Sequence, residues 1–346
     1  MQKYLHRIIW RDDTFEEQVF VKRTFVKLSI LGIYKRSTRV TFGGRAWFFA
    51  VEAFFLLQIS TIVWDLATVL GDIGLFGDNM CILAGLLLML VKKWHSVAKV
   101  DEIAECVEQL QAYHVYYLQK GDRFVRRMRN QNLQERLLLD AAALIATVLG
   151  GCLIVNILSQ MALQFCLLRM EFETIGTELS LPLDGPLHGD EELRRRIHRM
   201  IANHQQLLGF CNRLKRVYEP NIMAQFVCSM LIICLTAFEL MFAKGDPMQM
   251  IRFGAYMLTA FYQIFIWSFF GNRVTQTSTG ISDGTVSCNW TVLDDSLKKD
   301  LRLTTMRSQK PFVIDVYRLF PLTYETFIAI LSRSYSIFTV LRTMIE

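Results

Sequence analysis

Long apolar runs separated by charged stretches dominate the chain, and each run is long enough to be a helix across a bilayer. The first, Ala46 to Leu70, spans 25 residues and would rise about 37 Å as a helix, enough for a hydrocarbon core with some tilt. Glu52 and Asp65 within it place one face against protein or water. A second run begins near Met80 and reaches Val91, then continues without a breaker into the polar stretch KKWHSVAKVDEIAECVEQLQ. The pattern predicts one helix that leaves the membrane there. Ile222 to Ala243, interrupted only by Glu239, and Phe253 to Asn272, free of charge, are two further spans. Leu137 to Leu168 is nearly continuous over 32 residues, too long for one comfortable span and too short for two with a loop.

The distribution of basic residues decides how that middle run is divided. Residues 1–45 hold ten Lys and Arg, residues 92–136 hold nine, residues 183–219 hold seven, and the connection 71–79 holds none but carries two Asp. By the positive-inside rule the first three are cytoplasmic and the last is outside. The chain must then cross twice between Arg136 and Pro182. This predicts a third span over Leu137 to Asn156, a tight turn near Ser159 and a fourth helix from Gln160 to about Leu179, whose Arg169, Glu171 and Glu173 are expensive in lipid.

Leu322 to Arg342 is long enough to cross, yet includes Glu325, Arg333 and several Ser, Thr and Tyr. Such a helix avoids lipid, and packs among other helices or lines water. It brings the count to seven. The fold class is all-α: a polytopic membrane protein of seven transmembrane helices, N-terminus cytoplasmic and C-terminus extracellular. Before the last span, Leu293, Leu297 and Leu301 repeat every four residues behind Asp294 and Asp295, which reads as a capped amphipathic helix on the cytoplasmic side.

Composition narrows the function. Hydrophobic residues make up 52% and charged residues 20%, and no alternating pattern suggests barrel strands. The first 45 residues are broken by charge and lack a cleavable signal peptide. Eight cysteines lie in apolar runs or basic loops, which predicts reduced thiols. The net charge of +6 follows from topology, and no motif points to nucleic acid. The six histidines lack metal-ligand spacing, and neither a phosphate loop nor a nucleophile elbow is present. No enzyme, no cofactor and no metal site is read here. Asn289-Trp290-Thr291 is a sequon that the topology keeps cytoplasmic and unmodified, and Gly43-Gly44 reads as a break before the first span.

The stretch FFGNRVTQTSTGISDGTVSCNW, followed by MRSQKP and then by LFPLTYETFIAILSRSYSIFTVLR, closely resembles the signature of insect odorant receptors in order and spacing over residues 267–343. CNRLKRVYEPNIMAQFVCSMLIICLTAFEL is a weaker echo. The resemblance implies a ligand-specific subunit of a ligand-gated, nonselective cation channel, assembled as a heterotetramer with the odorant co-receptor and binding a small volatile odorant. It also implies multi-pass residence in the plasma membrane of sensory dendrites. The domains then read as a cytoplasmic N-terminal segment (1–45), helices one to six with the ligand pocket (46–272), a cytoplasmic anchor region (273–320), and the pore helix with the C-terminus (321–346).

Carried onto these residues, the last helix lines the pore, with Ser334, Phe338, Leu341 and Arg342 toward the gate and Phe338 with Leu341 as the hydrophobic constriction. The anchor between subunits takes Trp290, Leu293, Leu297, Leu301, Pro311 and Phe320. An apolar odorant needs a concave, mostly apolar cavity. Candidates in the outer halves are Leu83 and Leu87 on span two, Val148 and Cys152 on span three, Gln164 on span four, and Tyr256, Ala260 and Tyr262 on span six. The family normally carries a substantial outer loop between spans three and four, whereas CLIVNILSQMALQF runs straight through here. The fourth span and that loop therefore read as shortened. A gustatory-type channel of the same superfamily is the nearest alternative. A seven-helix receptor without a pore of its own would place its N-terminus outside, and a transporter would show internal repeats.

Overall fold

The computed structural model describes residues 42–69, 73–131, 149–179, 190–243, 246–288, 290 and 293–343. The first 41 residues, the apolar stretch 132–148 that holds Val148, and Asn289 of the sequon lie outside the described residues. So do the side chains of Cys152 and Leu341.

The described chain is helical apart from one small hairpin. Its elements are α1 (Phe42–Thr68), α2 (Ile73–Ala98), α3 (Val100–Leu118), α4 (122–131), α5 (Leu149–Leu179), α6 (Asp190–Phe242), α7 (Pro247–Thr279), α8 (Ile281–Ser287), α9 (Asp295–Ser308), β1 (Asp315–Val316), β2 (Phe320–Pro321) and α10 (Tyr324–Thr343). Four helices among the described residues are long and apolar enough to cross a membrane: α1, α2, α6 and α7. Helix α10 is not one of them, because Glu325, Arg333 and its hydroxyl side chains dilute its apolar content.

Several local expectations meet their match. Asp294 caps α9 by accepting from the Leu297 amide at 3.1 Å, and Asp246 caps α7 ahead of Pro247, accepting from Met248 and Gln249; both follow the preference for a short polar acceptor at a helix start. Helix α2 runs on past Val91 to Ala98, and α3 follows after a single irregular residue, Lys99. All seven cysteines of the described residues whose side chains are placed are free thiols.

Three expectations are corrected. Gly43 and Gly44 lie inside α1 rather than before it, since no turn is needed where the chain simply enters the helix. Span five is the C-terminal part of a 53-residue helix that begins far ahead of the apolar run. There it buries Ile197, Met200, Leu207, Cys211 and Leu214, so tertiary packing, not propensity, extends it. The largest correction is at Ser159: the chain does not turn, and α5 passes straight through. Asn156, Ser159 and Gln160 look like turn residues in sequence, but each is at least nine-tenths buried, and Gln131 of α4 donates to the Ser159 carbonyl at 2.8 Å. Every residue from Ile154 to Phe165 is buried, which makes α5 the central post of the fold.

Around that post a second layer forms. On one side α3 and α4 close over α5 through Tyr117, Phe124, Met128, Leu163 and Leu167; the turn between them uses Gly121 at φ +127, a conformation that a side chain resists. On the other side α6 and α7 share the main core with α8, α9 and the hairpin. The charges on α5 are resolved by this arrangement. Glu171 accepts from Tyr116 Oη at 3.0 Å and pairs with Lys120, while Arg169 pairs with Glu173 at 2.8 Å and Asp283 at 3.4 Å. His204, buried on α6, is pushed down to about 4 by burial, with the Arg307 charge acting the same way, so it is neutral near pH 7.

Candidate functional site

Helix α10 begins where the hairpin ends, and the hairpin fixes that start. Leu322 donates its amide to Ile314 at 2.7 Å, Lys215 of α6 pairs with Asp315, and Glu219 accepts from the Tyr317 amide at 2.6 Å. Leu322 just before the helix, and Thr326, Ile330 and Ser334 within it, are buried at intervals of four residues; this is the single face that a helix packed on one side presents. It rests against α6 and α7. Cys234 of α6 donates its thiol to the Ser334 carbonyl at 3.4 Å, and Phe265 of α7 meets Phe327 edge-on at 5.8 Å and stacks on Tyr324 at 6.5 Å. The opposite face carries Glu325, Ser332 and Tyr335, all exposed, with the apolar Ile328 among them, while Arg333 turns toward α6 and lies over the Phe320 ring at 5.7 Å.

The residues expected at the gate divide between these faces. Ser334 is turned toward α6, away from the exposed face, because it falls on the buried four-residue repeat. Phe338 is half-buried, its ring 6.3 Å from that of Tyr335, and Arg342 is exposed. A cleft of about 330 Å³ lies between α6 and α10, walled by Phe226, Val227 and Met230 on one side and by Ile330, Arg333 and Ile337 on the other.

The outer-half candidates are less convergent. Ala260 is buried, while Leu83, Tyr256 and Tyr262 are half-buried. Leu87 is 44% exposed on the outside of α2. Tyr256 lies within electrostatic reach of Asp78 and Arg252, which join α2 to α7 by an ion pair at 3.1 Å. Gln164 does not belong with them. A Cβ on Gly284 would come within 2.8 Å of the Arg169 carbonyl oxygen, which fixes Arg169 of α5 beside the end of α7. Gln164 is little more than one turn from Arg169, whereas Ala260 is some 20 residues up α7 from Gly280, about 30 Å of helix. Spacing within one helix carries no information about depth relative to another, and the continuous α5 moved this residue inward.

A buried polar cluster was invisible to the hydrophobic pattern. Lys92 and Lys93, expected where α2 leaves the membrane, are 6% and 4% exposed. Lys92 donates to Gln225 of α6 and lies 5.2 Å from the Trp267 ring centroid. Gln225 donates in turn to Ser229 and to Gln263 of α7, each at 2.7 Å. Lys93 pairs with Glu52 of α1 at 2.5 Å, and Trp94 donates its indole N–H to the same carboxylate at 2.8 Å. Together these tie α1, α2, α6 and α7 at one level. The only trace in the sequence is Glu52, the carboxylate inside the first span.

A family model described as 7tm Odorant receptor matches residues 141–335, more than half of the chain. The chain belongs to this family. Among individual odorant receptors, it is 29% identical over 174 residues to odorant receptor 10 of Aedes albopictus, covering 50% of this chain and 46% of that protein. It is 25% identical over 176 residues to the putative odorant receptor 92a of Drosophila melanogaster, covering 51% and 42%. The chain thus matches about half the length of these curated relatives. The olfactory receptor OR5 from Machilis hrabei, solved in complex with eugenol, has the same fold: a TM-score of 0.71 at 12% identity, over 96% of this chain and 100% of that one. The membrane character of the helices accords with a receptor family, and the family is not one of enzymes.

In this odorant receptor the residues expected to anchor subunits also split. Leu293, Leu297 and Leu301 point into the chain's own core, holding α9 down. Phe320 meets Phe226 edge-on at 6.3 Å within the same chain. Trp290 is 52% exposed and Pro311 is exposed. The outward apolar surface of this region is completed by residues that the four-residue repeat passes over: Val286, Leu303 and Met306, each more than half exposed.

Proposed function

We propose that the chain is the odorant-recognising subunit of a ligand-gated, nonselective cation channel, with α10 lining the pore. The observation that carries this reading is the two-faced character of α10. One face is packed on α6 and α7, and the other sets Glu325, Ser332 and Tyr335 outward. A charged, hydroxyl-rich face is costly against hydrocarbon and suits a water-filled path. The exposed Val286, Trp290, Leu303 and Met306 support an inter-subunit anchor on the cytoplasmic side, because an apolar patch rimmed by charge marks a protein contact.

The partner in this reading is the odorant co-receptor, in a heterotetramer at the plasma membrane of sensory dendrites, with N-terminus inside and C-terminus outside. The charge counts of the connecting segments support that orientation. The ligand is a small volatile organic molecule held between the outer halves of α2, α5 and α7, near Leu83, Cys152, Tyr256, Ala260 and Tyr262. Eugenol in the Machilis hrabei receptor is of the size such a site takes.

Co-expression with the co-receptor, followed by a panel of volatiles under voltage clamp, tests the reading. The expected result is an inward current that reverses near zero, carries several monovalent cations, and requires both chains. Surface-labelled receptor of both kinds with no response to any ligand would count against it.

A further inference from the structure

Helix α4 has a face for which the channel reading has no use. Its inward side is apolar: Phe124 and Met128 pack on Tyr117, Leu163 and Leu167 of α3 and α5, and Gln131 reaches the Ser159 carbonyl. Its outward side is basic, with Arg123, Arg126, Arg127 and Arg129 all exposed within seven residues. The contacts of α4 fix the depth of that side. Arg123 lies 3.5 Å from Glu173, and Glu173 belongs to the ion-pair group beside α8. Gln131, two turns further on, sits where the chain re-enters an apolar stretch. The arginines are therefore strung along the zone between the cytoplasmic core and the start of the next apolar run, on the periphery of the bundle.

Among the described residues, two of these four charges, those of Arg126 and Arg127, have no acid paired with them. Glu173 is shared between Arg123 and Arg169, and Asp122 is the one carboxylate within α4 itself. Guanidinium groups clustered at headgroup depth match phosphate monoesters in charge and in paired hydrogen-bond geometry. The inner leaflet supplies such groups, and a juxtamembrane cluster of this size is what attracts them.

We propose that the arginine face of α4 binds the headgroup of an inner-leaflet phosphoinositide. This rests on the cytoplasmic orientation of α4 in the reading above, but not on ion conduction. A bound headgroup would bridge α4 to the bilayer and clamp the α3–α4 layer against α5.

Native mass spectrometry of the detergent-solubilised full chain, titrated with phosphatidylinositol bisphosphate, tests it. Phosphatidylserine, phosphatidylcholine and soluble inositol trisphosphate serve as comparators. The bisphosphate lipid should remain bound where phosphatidylcholine does not, and Arg126→Gln with Arg127→Gln should weaken it roughly thirtyfold. Arg126→Lys with Arg127→Lys should keep most of the binding, and Arg302→Gln, on α9, should leave it unchanged. Equal retention by wild type and the double glutamine variant, at matched melting temperature, would overturn the proposal. So would retention of phosphatidylcholine to the same degree, and inositol trisphosphate binding as tightly as the lipid would replace the membrane source with a soluble one. Because the readout needs no current, a silent channel that still binds the lipid leaves this inference standing while the channel reading falls.

Discussion

Glu52→Ala is expected to cost the fold about 3–5 kcal/mol, the range for breaking a buried ion pair by removing one partner. The Lys93 side chain is 3% exposed and that of Glu52 is 11% exposed, so the ammonium left behind has no water to turn to. It would retain only the face of the Phe48 ring, 4.4 Å away, a weaker partner than a carboxylate. The Trp94 indole N–H would lose its acceptor at the same time. Thermal unfolding of the purified receptor measures the effect. A double variant, Glu52→Ala with Lys93→Met, should recover much of the loss, since replacing both partners removes the stranded charge. A single variant as stable as wild type would show that water reaches Lys93, and the tie between α1 and α2 would then be of little energetic weight.

The second large effect is expected at Gly271. A Cβ there would come within 2.4 Å of the Leu322 carbonyl oxygen and 2.6 Å of its side chain, so α7 and the start of α10 touch almost backbone to backbone. Gly271→Leu forces α10 away from α7, with an overpacking cost of about 1–3 kcal/mol or more. The shift cannot be absorbed locally, because Leu322 is also held to Ile314 by the hairpin. Gly271→Ala should be milder. Adding Leu322→Ala should rescue it only in part, since the clash with the carbonyl oxygen remains when the side chain is gone. Melting temperature and ligand-evoked current should fall together. Full rescue by Leu322→Ala would place the whole contact in the side chains and remove the argument for a fixed α10 start.

The sequence carried more of the fold than of the site. Helices α1, α2 and α7 follow from long apolar runs, and α9 from a four-residue leucine repeat with Asp294 ahead of it, because those signals are local. What escaped was relational. Ser159 reads as a turn residue until the neighbours that bury it are known. Lys92 and Lys93 read as the point where α2 meets water, although α1, α6 and α7 close over them. The leucines of α9 were correctly taken as an apolar face, but whether that face meets its own chain or another is decided by Ile281, Cys288 and the hairpin, which share their core. Gln164 shows the same limit for depth, since the offset between α5 and α7 is set by Arg169 lying beside Gly280 at the end of α7 and Gly284 of α8.

The central claim is that α10 turns one face to protein and the other to a conducting path. It is tested most directly by placing cysteines along that helix and applying a charged, water-soluble thiosulfonate during ligand-evoked current. Ser332→Cys and Tyr335→Cys should lose most of their current on exposure to the reagent, while Thr326→Cys and Ser334→Cys, on the packed face, should be unaffected. Modification confined to the packed face, or no modification at any position in channels that open, would contradict the account.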